Sequence, residues 1–306
     1  MIHNVRVVNY LGEEVVMELR NPERSGFLIF NMTGLGPEKA EIRTTDIVTA
    51  DGGLYNSSRL PARNIVMSIR YFSWEGKTAE QIRHESYKFF PIKKPVTLFI
   101  TTDERVGEIV GYVEANEPVI FSKEAHTQLS IVCPYPYFFD GGPYGDKTQV
   151  FGGVAPRFEF PFSNESLEGP LLIMGDILIF AEGTVVYDGD AEVGMVITID
   201  ALGPASNITL HKVDTRESMT LNTTRLHQMV GQGIIAGDQI KISTIKGQKS
   251  ITLLRGGVFI NILNILDKGA DWFQLTKGNN AFAFEADQGI ENLIFTIENR
   301  TLYEGV

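Results

Sequence analysis

Period-two alternation dominates the chain. Ile65, Met67, Ile69 and Tyr71 alternate with Val66, Ser68 and Arg70, the pattern of a strand with one buried face. Val193, Met195, Ile197 and Ile199 repeat it, and so do Leu293, Phe295 and Ile297. Shorter runs predict strands at residues 28–30, 97–101, 107–114, 128–133, 208–212, 240–244, 250–254 and 281–285. Turn chemistry separates many of them: Asp51-Gly52-Gly53, Asp188-Gly189, Gly237-Asp238, Lys246-Gly247 and Lys277-Gly278-Asn279. Short strands at this spacing predict a mostly β chain built from sandwiches or barrels.

One segment departs from the rule. Thr78-Ala79-Glu80-Gln81 reads as a capping box, with Ile82, Ser86, Phe89 and Phe90 near one helical face and Pro91 as the stop. A helix is therefore expected over 78–90, packed on the first sheet. After Cys133, Pro134, Pro136 and Asp140-Gly141-Gly142-Pro143 cannot sustain a ladder. This divides the chain into a first domain at 1–140, with strands and one helix, a linker at 141–157, and an almost wholly β second domain at 158–306.

Composition narrows the possible chemistry. Lys and Arg number 27 against 38 Asp and Glu, a net charge of −11, which disfavours holding nucleic acid by its phosphates. A negative wall does suit a conduit through which another polyanion slides, although solubility alone also explains the sign. The single cysteine, Cys133, rules out an internal disulfide framework and reads as a packed thiol at a strand end. No apolar run reaches the roughly 20 residues of a membrane span, and the opening residues do not read as a signal peptide.

Candidate chemical motifs are incomplete. His3, His84, His126, His211 and His227 are scattered, and the zincin-like start at His84-Glu85 has Lys88 where a second ligand belongs. The segment 188–192 lacks the later ligands of a calcium loop and reads as a hairpin turn. Gly34-Leu35-Gly36-Pro37 is a turn, not a dinucleotide fingerprint. Scattered carboxylates allow a hydrolase pair to be imagined but supply no spacing to support one. A structural or binding role is expected, without cofactor, metal or catalytic residue.

Several pieces occur in a characteristic order. Asp51-Gly52-Gly53 precedes Arg59 and Arg63-Asn64-Ile65, and the capped helix leads to Pro95-Val96-Thr97-Leu98. Gly111-Tyr112-Val113-Glu114 and the exit Cys133-Pro134-Tyr135-Pro136-Tyr137 follow. The second half contributes Gly237-Asp238-Gln239-Ile240, Asp271-Trp272-Phe273-Gln274-Leu275 and Lys277-Gly278-Asn279-Asn280-Ala281-Phe282. In this combination the chain resembles the siphophage distal tail protein family, ring-forming hubs of phages or prophages of Gram-positive bacteria.

The resemblance implies two β-sandwich domains, the first with one α-helix and the second galectin-like. It also implies a homo-hexamer at the virion tail tip, synthesised in the bacterial host cytoplasm. The ring would join the tail tube protein to the tape-measure protein and to a tail-tip, receptor-binding or tail-associated lysin protein. DNA would pass through without specific binding, and no membrane anchor is implied. On this reading segment 46–62 is a ring or tube contact, with Asp51, Arg59 and Arg63 as contact residues and the two arginines paired to carboxylates across the seam. An ordinary hairpin loop is the competing reading of that segment. An alternative function is a cell-wall carbohydrate-binding module in which Trp272, expected in a strand, serves as the saccharide contact.

Overall fold

The alternation resolves into two separately cored units, Met1–Gly145 with Leu302–Val306, and Asp146–Thr301. The computed structural model describes residues 1–46, 51–119, 124–143, 145–151, 153–156, 175–178 and 182–306.

Unit 1 begins with β1 (Asn4–Asn9), β2 (Glu14–Glu18), β3 (Phe27–Thr33), β4 (Glu41–Asp46), β5 (Gly53–Arg59) and β6 (Arg63–Tyr71). It continues through α1 (Ala79–Phe89), β7 (Pro95–Thr101), β8 (Val106–Val119), β9 (His126–Cys133) and β10 (Phe138–Asp140). An antiparallel sheet runs β2-β1-β7-β8-β9-β6-β3, and its two edge strands contact each other, so the sheet curls around its own core. Val5, Val7, Ile65, Met67, Leu98 and Ile131 fill that core. Every one of them comes from an alternating position, which is why the pattern was readable.

Helix α1 forms as its capping box predicts. Gln81 N donates to Thr78 Oγ1 at 3.3 Å, and Thr78 N donates to Gln81 Oε1 at 2.8 Å. Ile82 and Ser86 turn inward, Phe90 is buried at the C-cap, and the helix packs on β1 and β6. Gly111 shows why a glycine interrupts β8. A Cβ there would lie 2.6 Å from Ile131 Cγ2 and 2.7 Å from Cys133 Sγ.

Unit 2 comprises β11 (Asp146–Phe151), β12 (Gly153–Pro156), β13 (Gly175–Leu178), β14 (Glu182–Tyr187), β15 (Val196–Ala201), β16 (Ser206–Lys212) and β17 (Glu217–Leu221). Then come α2 (Thr223–Val230), β18 (Gln239–Ser243), β19 (Ser250–Arg255), β20 (Val258–Asn261), β21 (Gly278–Gln288) and β22 (Leu293–Arg300). A sheet ordered β11-β22-β15-β18-β19-β20 faces one ordered β14-β21-β16-β17, while β12 and β13 pair alone. Phe284 of β21 stacks on Phe295 of β22 with ring centroids 4.1 Å apart, joining the two layers of the sandwich. The chain then returns to unit 1 as β23 (Leu302–Tyr303), which pairs with β10.

Four details differ from the sequence reading. The stretch taken as a linker contains β11, paired along its length with β22. Leu302–Val306 belongs to unit 1, not to the second domain. Asp188-Gly189 does not close a hairpin, because β14 and β15 lie in different sheets. The second unit also carries α2, capped by Asn222, whose side chain accepts from Arg225 N at 3.1 Å, and ended by Gly231 at φ +80.

Candidate assembly interface

Strands β4 and β5 form a two-stranded ribbon separate from the main sheets of both units, and every residue of both strands is exposed. Its turn uses Asp51-Gly52-Gly53, with Gly52 at φ +91, where only glycine is unstrained. Ile42, Leu54 and Tyr55 are 64%, 61% and 60% exposed. The register shifts between Arg43 and Thr44, which leaves Asn56 as the extra residue of a bulge.

The bulge sorts the side chains by face. Pairs Ile42↔Ser58 and Thr44↔Tyr55 share one face, where Tyr55 Oη and Ser58 Oγ hydrogen-bond at 2.8 Å. Glu41, Arg43 and Arg59 occupy the other, and Asn56 Nδ2 donates there to Thr45 Oγ1 at 2.7 Å. The second face thus gathers most of the ions, while the first carries only Asp46, at its end by the turn.

Of the expected contact residues, Asp51 is exposed at the turn. Arg59 is exposed too, but its Nε already meets Glu41 Oε2 across the ribbon at 2.7 Å. That guanidinium holds the Glu41 carboxyl below its ordinary range.

Arg63 is a correction, since it cannot reach a seam. It is fully buried at the start of β6, with its fork spread over backbone carbonyls. Nη1 donates to Gly34 O and Gly36 O, both at 2.6 Å; Nε donates to Pro136 O at 2.7 Å and Nη2 to Glu304 O at 2.8 Å. The Phe138 ring lies 4.7 Å from its Cζ. The Gly34–Gly36 turn is shaped for this: Gly34 sits at φ +82, and a Cβ would lie 2.3 Å from Asn64 O.

Trp272 does not lie in a strand. It is half-buried in an irregular stretch before β21, with Lys249 Nζ 5.0 Å from its ring centroid, while Phe273 and Leu275 point into the core. The carboxylates of segment 188–192 meet lysines instead of converging: Asp188 pairs with Lys147 at 2.9 Å and Asp190 with Lys277 at 3.1 Å. Among the described residues no three metal-ligating side chains gather. Cys133 is fully buried, and burial pushes its thiol up to about 11, far from a nucleophile at neutral pH.

One buried ion pair escaped the sequence reading. Arg255 Nε donates to Asp238 Oδ1 at 2.7 Å and its Nη2 to Asp238 Oδ2 at 2.5 Å, with Asp238 almost wholly buried. The same carboxylate accepts from Ile235 N at 2.9 Å. The pair ties the loop before β18 to the end of β19. Its bond to Asp238 raises the Arg255 pKa further.

The profile of the family described as "Siphovirus-type tail component, C-terminal domain" matches residues 188–300. Among solved structures, the chain is similar to the SPP1 Dit (gp 19.1) protein, described as a paradigm of the hub adsorption apparatus in Gram-positive infecting phages. That likeness has a TM-score of 0.62 at 14% identity and covers 96% of this chain and 98% of that one. A chain of the phage P2 baseplate, in its activated conformation with Ca, matches with a TM-score of 0.47 at 12% identity, over 98% of this chain and 99% of that one. No curated protein matches the chain. Residues 188–300 thus match the siphovirus-type tail component C-terminal domain, and the chain shares its fold along nearly its whole length with the SPP1 Dit protein.

Proposed function

We propose that this chain is the hub subunit of a siphovirus tail tip, closing as a homo-hexamer into a ring that encloses the DNA passage. The ring joins the tail tube protein to the tape-measure protein and to the tail-tip, receptor-binding or lysin protein below. The observation that carries this reading is the β4–β5 ribbon. A two-stranded ribbon is marginal in water on its own, and one of its faces presents Ile42 and Tyr55 to solvent. A neighbouring copy or the tube supplies the missing cover, and a heterologous contact of this kind closes into a ring when its rotation permits. An uncovered ordinary hairpin is the competing account, and one experiment decides between them.

Light scattering of the purified chain is expected to find a species near six times the chain mass of 34.0 kDa. The double variant Ile42→Asp with Tyr55→Asp is expected to keep its fold yet remain monomeric. A wild-type chain that stays monomeric even with its tail partners present defeats the reading. The net charge of −11 suits a passage that repels DNA instead of binding it. A ring structure with a basic lumen contradicts that part.

The role is structural, so purified host cell wall in a zymogram is expected to show no clearing; clearing overturns it. Saccharide binding by unit 2 rests on Trp272 alone, and Lys249 already occupies space over that ring. Cell-wall retention that vanishes on Trp272→Ala with the fold intact would revive it.

A further inference from the structure

Unit 1 is not made from one stretch of chain. Residues 146–301 intervene before its last piece, Leu302–Val306, arrives. That piece is seated like a core element, not a loose tail. Phe138↔Tyr303 and Phe139↔Leu302 pair, and both Phe138 and Leu302 are fully buried. Val306 N donates to Leu35 O at 3.1 Å, Tyr303 Oη donates to Asp140 Oδ2 at 3.4 Å, and Arg63 reaches Glu304 O. The seat has a steric imprint: a Cβ on Gly107 would lie 2.0 Å from Val306 Cγ1, and one on Gly305 would lie 2.9 Å from Leu35 O.

Closing a loop as long as the insert is entropically unfavourable for a flexible chain. Folding of unit 2 removes that cost, because its first and last strands are antiparallel partners from Asp146↔Arg300 to Phe151↔Phe295. Once they pair, the residues leaving and re-entering unit 1 are neighbours, the arrangement in which one domain can sit inside another.

We infer that unit 2 gates unit 1. Residues Leu302–Val306 are delivered to their seat only when unit 2 has folded, so unit 1 is completed last and a chain with a defective unit 2 is withheld from assembly. The withholding from rings rests on the hub reading; the order of completion does not.

The two tryptophans allow a test in the full chain, since Trp74 lies in unit 1 and Trp272 in unit 2. In Trp272→Phe protein, emission follows unit 1; in Trp74→Phe protein, it follows unit 2. Gly107→Val, which blocks the Val306 seat, is expected to lower the Trp74 melting midpoint by roughly 10 °C and leave the Trp272 midpoint in place. Asp238→Ala, which breaks the buried pair of unit 2, is expected to lower both midpoints and to abolish light-scattering oligomers. If Gly107→Val yields no soluble protein, Leu302→Ala probes the same seat. A Trp74 midpoint unmoved by either seat variant, or unmoved by Asp238→Ala, overturns the proposal. A wild-type monomer whose midpoints still shift as described removes the hub reading and leaves the gate standing.

Discussion

Arg63 shows what sequence spacing leaves hidden. Arg59 and Arg63 stand four residues apart and look alike on paper, yet one is exposed on a ribbon and the other sealed under four carbonyls. Those carbonyls come from three distant stretches, so no local pattern could announce their convergence. Arg63→Met strands them without a donor and is expected to cost about 3 kcal/mol or more in urea unfolding. Arg63→Lys is expected to recover only part, because a compact ammonium cannot span the cradle a planar fork fills. Cys133, by contrast, was correctly legible as a packed thiol, from its place at the end of an apolar strand. Its folded-state pKa is raised to about 11, so the folded chain keeps a proton that the unfolded chain releases first. Stability is therefore full below the ordinary thiol range and declines as pH climbs toward about 11. Comparing urea midpoints at about pH 8 and about pH 10.5 checks this, with a smaller decline expected for Cys133→Ala.

At the level of elements, alternation and capping announced β3, β6–β9 and α1 of unit 1, but not β1, β2, β4, β5, β10 or β23. The capping box announced α1 because its two reciprocal bonds involve residues only three apart. Helix α2 was missed for the opposite reason: eight residues give barely two turns, and Thr223 and Thr224 read as strand. Its signals were Asn222 and Gly231 at the two ends. Asn222→Ala is expected to cost about 1 kcal/mol, read from the Trp272 transition in denaturant. The ribbon illustrates a different limit. Its glycine turn was readable, but no run of residues states that a strand pair will stand apart from both sheets.

The whole molecule was legible as mostly β, and the first break between its two units falls between Gly145 and Asp146, inside the stretch read as a linker. What the sequence could not give was the return of Leu302–Val306, since five residues are too few for a periodic signal. Long-range closure is written in the shape of the seat around Gly107, not in the local pattern. The acidic balance, likewise, fixes the sign of the net charge but not its distribution over the surface.

The sealed position of Cys133 has a consequence for a particle that leaves one chemical environment for another. No thiol is available at the protein surface, since the single cysteine is buried, so close-packed copies cannot become bridged by a disulfide. If copies close into the ring proposed above, a change from reducing to aerated medium leaves their covalent state as it was, and the ring depends on non-covalent contacts alone.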